Sequence, residues 1–114
     1  MINLTHKIEG AIYIISVVGD VDASSSIQLD NALGQALEDN QTKILVDCSK
    51  LNYISSAGLG VFMSYIQDFE NKNIKLVLCN LNEKVIGVFR ILGLDQLLKI
   101  VDTIEEGKKL IDEL

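Results

Sequence analysis

Residues 43–66 read KILVDCSKLNYISSAGLGVFMSYI, and the fold turns on how this stretch divides. Its first part, KILVDCS at 43–49, is short, almost continuously apolar and partly β-branched. That is the pattern of a strand buried on both faces and therefore central to a sheet. Further on, Val61, Phe62, Tyr65, Ile66 and Phe69 recur at three- and four-residue steps, the apolar stripe of an amphipathic helix. The intervening LNYISSAGLG reads as a short connection, with the helix starting near Ser56. A buried strand running directly into a helix is the opening half of a parallel strand–helix–strand unit.

The same alternation continues on both sides. Downstream, IKLVLCN at 74–80 repeats the buried-strand signal, and NEKVIGVFRILG at 82–93 reads as a helix with Val85, Val88, Phe89 and Leu92 inward. Gly93 is its expected C-cap in a left-handed conformation. LLKIVD at 97–102 gives a short last strand, and TIEEGKKLIDEL at 103–114 a terminal helix with Thr103 as N-cap and Glu106 completing a capping box. Lys108 and Lys109, placed toward the end of that helix, suit its dipole. Upstream, residues 3–8 and 11–18 flank Glu9 and Gly10 and read as a β-hairpin. DVDASSSIQLDNALGQALEDN at 20–40 follows, with Leu29, Leu33, Ala36 and Leu37 on a helical stripe and Asp22 and three serines as candidate caps. No proline occurs, so the helices are expected to stop at Gly or Asn. The resulting fold class is α/β: right-handed crossovers between parallel strands, with the first strand antiparallel at an edge.

At 114 residues the chain is read as one domain spanning 1–114, and a composition 48% hydrophobic is that of a globular protein. The formal charge of −6 argues against a nucleic-acid backbone or an anionic membrane surface as partner and favours a protein or a cationic site. No apolar run approaches the roughly 20 residues needed to span a bilayer, and MINLTHKIEG lacks the features of a signal peptide, so a cytoplasmic location is expected. Cys48 and Cys79 lie at strand ends and read as free, buried thiols. With no CxxC spacing and His6 as the only histidine, the residues offer no recognisable metal cluster and no local nucleophile pair, and no cofactor is expected. His6 reads as a strand-face histidine.

Ser55 and Ser56 fall at the start of the central helix, where side-chain oxygens cap free N–H groups; simple capping is the local reading. A helix N-terminus is also where a phosphate is best accommodated, and a phosphate there would change the charge of any surface a partner touches. Gly58 and Gly60 each lower helix propensity by roughly 1 kcal/mol relative to Ala, which points to a close approach by the domain's own strands or by another protein. Neither a GxGxxG nor a GxxxxGK[ST] loop is present. A hydrolytic cluster of Asp20, Asp22 and Ser56 lacks a suitable base.

ISSAGLGVF at 54–62 resembles the phosphorylation motif of the anti-sigma-factor antagonists, members of the STAS domain family, which usually reads Asp, Ser, Ser or Thr, Gly, Leu, Gly. GDVDASSS resembles the family's Gly–acidic–aliphatic–Asp signature, VDCSKLNYI its central strand and loop, and FRILGLDQLLKI its C-terminal helix and strand, so the resemblance covers essentially the whole chain. It implies a mixed, mostly parallel sheet with an N-terminal antiparallel hairpin and about four helices. Aligned on Gly58, Leu59 and Gly60, the phosphorylated serine falls on Ser56, the preceding aspartate on Ser55 and the following serine or threonine on Ala57. Loss of the aspartate leaves Ser55 as a competing acceptor.

The resemblance further implies a regulator, not an enzyme. The unmodified form binds a serine-kinase anti-sigma factor and frees the sigma factor; phosphorylation abolishes binding, and a phosphatase of the protein phosphatase 2C type restores it. Asp20, Asp22, Ser24, Ser55, Ala57, Gly58, Leu59 and Gly60 are the candidate contact residues, with Leu59 as a possible apolar anchor. For Asp22 the competing role is capping of the first helix, and for Leu59 it is core packing. The same fold could instead control a non-sigma output, such as a secretion, motility or signalling enzyme, or serve as a scaffold in a sensory complex.

Overall fold

The computed structural model describes residues 2–114. Its strands are Asn3–Glu9 (β1), Ile12–Val21 (β2), Lys43–Ile54 (β3), Lys75–Cys79 (β4) and Lys99–Val101 (β5). The helices are Ser26–Glu38 (α1), Ser56–Asn71 (α2), Glu83–Ile91 (α3) and Ile104–Glu113 (α4), with a single 3-10 turn at Leu94–Gln96. The sheet order is β1-β2-β3-β4-β5, antiparallel between β1 and β2 and parallel thereafter. β3 is central, as its unbroken apolar run requires.

Successive strand side chains point to opposite faces, and this alternation fixes the layers. Tyr13, Ile15 and Val17 of β2, Ile44, Val46 and Cys48 of β3, and Leu76 and Leu78 of β4 share a core with Leu29, Leu33, Phe62, Phe69, Val85 and Phe89. Their alternates, Ile12, Ile14, Leu45, Val77 and Cys79, form a second core under Ile111. Three crossover helices thus cover one face and α4 the other. α4 approaches β3 closely because Gly107 has no side chain: a Cβ there would stand 2.7 Å from Leu45 Cδ1. Both cysteines are buried and free, and desolvation pushes the Cys79 thiol up to about 12 and raises that of Cys48 as well.

Several local expectations hold. Helix ends fall at residues in the left-handed region: Asn40 (φ 59°), Asn73 (φ 57°) and Gly93 (φ 73°). Thr103 Oγ1 accepts the Glu106 N–H at 3.1 Å, the hydroxyl arm of the capping box. His6 lies on a strand face, stacked on Tyr13 with ring centroids 4.9 Å apart.

Three expectations are corrected. β3 runs five residues past Ser49, to Ile54, because β2 runs equally far and pairs with it: Val18 faces Lys50, Gly19 faces Leu51, Asp20 faces Tyr53 and Val21 faces Ile54. Register shifts between Ser16 and Val18 and between Gly19 and Asp20, with Gly19 at φ 105°, carry this two-stranded extension beyond β4. Its residues look like a loop because Lys50, Asn52 and Tyr53 are exposed. Leu92, expected inward, is exposed at the C-cap of α3; the chain turns at Gly93 and buries Leu94 instead. Lys108 lies mid-helix, where it binds Glu9 at 2.7 Å across to the hairpin, and no basic residue occupies the last turn of α4.

A Cβ at Gly93 meets nothing within 4 Å, so Gly93→Ala isolates the cost of the left-handed backbone. Loss of about 1 kcal/mol is expected, read in urea denaturation as a lower midpoint at unchanged slope.

Candidate functional site

The paired extension of β2 and β3 ends in a single backbone bond: the Ser55 N–H donates to the Val21 carbonyl at 2.7 Å. Ser55 is then the N-cap of α2, extended at φ −82° and ψ 170°, with its Oγ accepting the Gly58 N–H at 3.2 Å. The Leu59 N–H returns to the Ser55 carbonyl at 2.9 Å and closes the first turn. The Ser55 hydroxyl is thereby committed. Ser56 and Ala57 are exposed on that turn, and their N–H groups belong to the set that a helix leaves without an internal partner. Ser56 therefore stands at the positive end of the α2 dipole.

Asp20 and Asp22 flank Val21, so the bond that starts α2 also sets both carboxylates beside it. The N-cap of α1 is Ser25, whose side chain makes no capping bond to the helix, and Asp22 instead organises the turn that leads into it. Asp22 Oδ1 accepts the Ser25 N–H at 2.9 Å, the Ser25 hydroxyl at 2.9 Å and the Ser24 hydroxyl at 2.8 Å. Ser25 Oγ reciprocates by accepting the Asp22 N–H at 2.8 Å, and the Ser26 N–H reaches the Asp22 carbonyl at 3.0 Å. The Ser24 and Ser25 bonds hold the Asp22 carboxyl down at about 2. Asp20 is exposed and opposite Tyr53 in register.

The two glycines of the motif part company. A Cβ on Gly58 would lie 2.7 Å from both Val21 Cγ1 and Ile54 Cγ1, so the close approach there is made by the domain's own strands. A Cβ on Gly60 meets nothing within 4 Å. Leu59 is 2% exposed and belongs to the core, so it offers no surface anchor. One residue the sequence reading passed over is Asn82, which caps α3 by accepting the Val85 N–H at 2.8 Å and donates to the Leu51 carbonyl at 3.1 Å. It ties a third loop to the same end of the sheet; its place just before an apolar helical stripe was the available signal.

Ser56 lines neither of two cavities seen in the fold. A groove of about 450 Å³ lies between β1 and α1, around Asn3, His6, Tyr13, Gln28 and Gln35. A notch of about 100 Å³ is formed by Asn52, Tyr53, Ile54, Lys84, Val85 and Val88. The serine is presented outward, an arrangement suited to being acted on by another protein.

The profile of the STAS domain family matches residues 3–107. The chain belongs to the STAS domain family. It is 33% identical over 87 residues to BtrV of Bordetella bronchiseptica, named as a candidate anti-sigma factor antagonist, which is 76% of this chain and 74% of that protein. It is 28% identical over 86 residues to the anti-sigma-B factor antagonist of Listeria monocytogenes, 75% of each chain. Its fold matches that of the anti-sigma factor antagonist SpoIIAA in its unphosphorylated form, with a TM-score of 0.74 at 18% identity over the full length of both. SpoIIAA of Bacillus also has a structure in the phosphorylated form. This STAS domain is of the anti-sigma-factor-antagonist type, and its sheet and four helices follow the pattern expected of that family.

Two predictions follow from the site's geometry. Gly58→Ala is expected to destabilise this STAS domain by about 1–3 kcal/mol, whereas Gly60→Ala is expected to be neutral or to stabilise it by up to about 1 kcal/mol; paired denaturation curves check both. The Asp22 carboxyl is ordinarily near 3.8 and is depressed here, so its contribution is complete above that value and is lost as pH falls through about 2. An NMR titration is expected to give an Asp22 midpoint at about 2, with the Ser24 and Ser25 signals moving alongside it.

Proposed function

We propose that this STAS domain is the switchable ligand of a serine-kinase anti-sigma factor. In its unmodified form it binds the kinase and releases the sigma factor; phosphorylated on Ser56, it no longer binds. The observation that carries this reading is the difference between the two adjacent hydroxyls: Ser56 is exposed on the first turn of α2, while Ser55 is occupied in capping Gly58. Ser56 is therefore the acceptor and Ser55 the weaker alternative.

In the transfer, Ser56 Oγ attacks the γ-phosphorus of the kinase's ATP, the bond to the bridging oxygen breaks, ADP leaves, and the hydroxyl proton passes to a base on the kinase. With the base supplied by the kinase, the domain acts in this reading as substrate and ligand. Phosphate at this position meets the free first-turn amides, so the helix tolerates it. The added charge of about −1.5 to −2 faces outward, beside Asp20 and Asp22, and acts against the complex by repulsion and desolvation. A metal-dependent phosphatase of the protein phosphatase 2C type resets the switch by hydrolysing the phosphoserine to serine and inorganic phosphate. The cycle runs in the cytoplasm, between proteins, with the 1–114 chain acting as one unit and no nucleic acid or membrane involved. Asp20, Asp22, Ser24, Ser55, Ala57 and Gly60 are the contact residues; Gly58 and Leu59 act from beneath by fixing the helix start.

Incubation of the purified domain with its serine-kinase anti-sigma factor and labelled ATP tests this reading. Label is expected on the wild type and on Ser55→Ala, the latter less stable by about 1 kcal/mol through loss of the cap, and none on Ser56→Ala. Equal labelling of wild type and Ser56→Ala would refute the assignment, and peptide mass mapping would then identify the true acceptor.

A further inference from the structure

The two outer strands of the sheet differ. β5 has three residues, whereas β1 has seven and pairs with β2 in an unbroken register from Asn3 opposite Val18 to Glu9 opposite Ile12. As an outer strand, β1 turns the N–H and C=O of every second residue away from the sheet, a template for another strand. The usual protections of such an edge are thin here. NLTHKIE holds neither proline nor glycine, its register has no bulge, and its one lysine is held by its one glutamate at 3.3 Å. Those two charges cancel, so the edge is neutral in a chain of net charge −6. Leu4, His6 and Ile8 stand opposite Val17, Ile15 and Tyr13 and so lie on the sheet face that α1 covers. The groove of about 450 Å³ opens between that face and α1, with Leu4, His6, Tyr13, Ile15 and Ala32 along it. Ile8, 59% exposed, lies outside the groove and is left uncovered by its own domain.

We propose that β1 is the interface for a second copy of this chain, the two β1 strands pairing antiparallel about a two-fold axis at His6. This inference stands independently of the reading of Ser56. Residues directly opposite in an antiparallel pair share a face, so the axis must pass through a residue that meets its own copy. Centred on Lys7, the pairing sets Lys7 against Lys7, like charge on like charge. Centred on Thr5, it leaves Ile8 and Glu9 beyond the end of the other strand. Centred on His6, it uses the whole strand: Asn3 faces Glu9, Thr5 faces Lys7 and Leu4 faces Ile8, each twice. Ile8 of either copy is thereby laid against Leu4 of the other, beside the groove. Groove and exposed side chain stand four residues apart on one face of one strand, which is what an isologous contact needs. Backbone pairing supplies the attraction and the groove selects the side chain, as in strand addition generally. The strip is about 24 Å long and about 10 Å deep. That is smaller than the roughly 800 Å² per partner of an ordinary stable interface, so the dimer is weak, half-formed at about 10–100 µM. Antiparallel pairing places the two Ser56 sites at opposite ends of the joined sheet.

The test is sedimentation equilibrium of the purified chain from about 5 to about 500 µM, either side of the expected midpoint. The wild type is expected to pass from monomer to dimer and no further. Ile8→Glu is expected to weaken the dimer about ten-fold or more, because a carboxylate then meets Leu4 at two places. Met63→Glu, at a similarly exposed apolar position on α2, is expected to associate like the wild type, with circular dichroism unchanged in both variants. His6→Cys reads the register. In a glutathione redox buffer it is expected to cross-link as a dimer, its Cβ atoms facing each other across the axis. Asn3→Cys, about 20 Å from its own copy in this register, is expected not to. A wild type that stays monomeric throughout overturns the second copy as occupant and leaves the edge to a strand of another protein. A dimer that Ile8→Glu leaves intact, one that Met63→Glu dissociates, or cross-linking through Asn3→Cys in place of His6→Cys overturns the interface as well.

Discussion

The hydrogen bond from the Ser55 N–H to the Val21 carbonyl, 2.7 Å long, is the constraint on which the functional end of this domain depends. It closes the extension in which β2 and β3 run past the end of β4 and, beyond Val18, past β1 as well. Such an extension twists freely until something ends it. Here Ser55 ends it by turning the chain into α2 and capping the new helix in the same step. Residues 20–25 and 55–60 are thereby held side by side. Gly58 makes the lock possible, since any side chain there would collide with the γ-carbons of Val21 and Ile54 at the end of the same two strands. Gly58 therefore serves the fold and Gly60 the surface, although the sequence writes them as a pair.

The same geometry accounts for the departure of this chain from its family's usual motif. Asp and Ser are nearly equivalent N-caps, so a serine at position 55 preserves the capping bond to Gly58 while removing a negative charge next to Ser56. What changes is electrostatic. The Ser56 hydroxyl sits at a helix N-terminus with one carboxylate fewer in its immediate neighbourhood than the usual motif gives, leaving Asp20 and Asp22 as the acidic groups of this edge. Asp22 is itself held ionised by the serines that follow it. Charge at the site is thus supplied by the neighbouring loop, and the position of that loop is again set by the Val21 bond.

Most of the architecture was legible because buried parallel strands and amphipathic helices differ so strongly in period. KILVDCS, IKLVLCN and the stripe through Phe62 and Phe69 could be read in one way only, and the Asn and Gly stops announced the helix ends. The errors share a cause: each concerned a residue whose environment is made by a distant segment. LNYI looked like a loop because the partner that makes it a strand is the end of β2, some thirty residues earlier. Leu59 looked available because only the three-dimensional tilt of α2 shows that its first turn buries against the sheet. Lys108 looked like a dipole partner, but Glu9 of the hairpin claims it. Local periodicity determines what an element is; it does not say which neighbour covers it.

The pair of serines shows the same limit in chemical form. From sequence, Ser55 and Ser56 were two hydroxyls at a helix start, both able to cap and both able to accept a phosphoryl group. Capping demands an extended backbone at the N-cap and helical angles from the next residue onward. Once Ser55 takes the first role, Ser56 is left exposed on the first helical turn, where the helix leaves its N–H groups without internal partners. Division of labour between the two is therefore imposed by helix initiation itself. A phosphate on Ser56 would not compete with the bond that starts α2, so modification can alter what the domain binds without altering how it folds. That separation is what the switch proposed above requires of the fold.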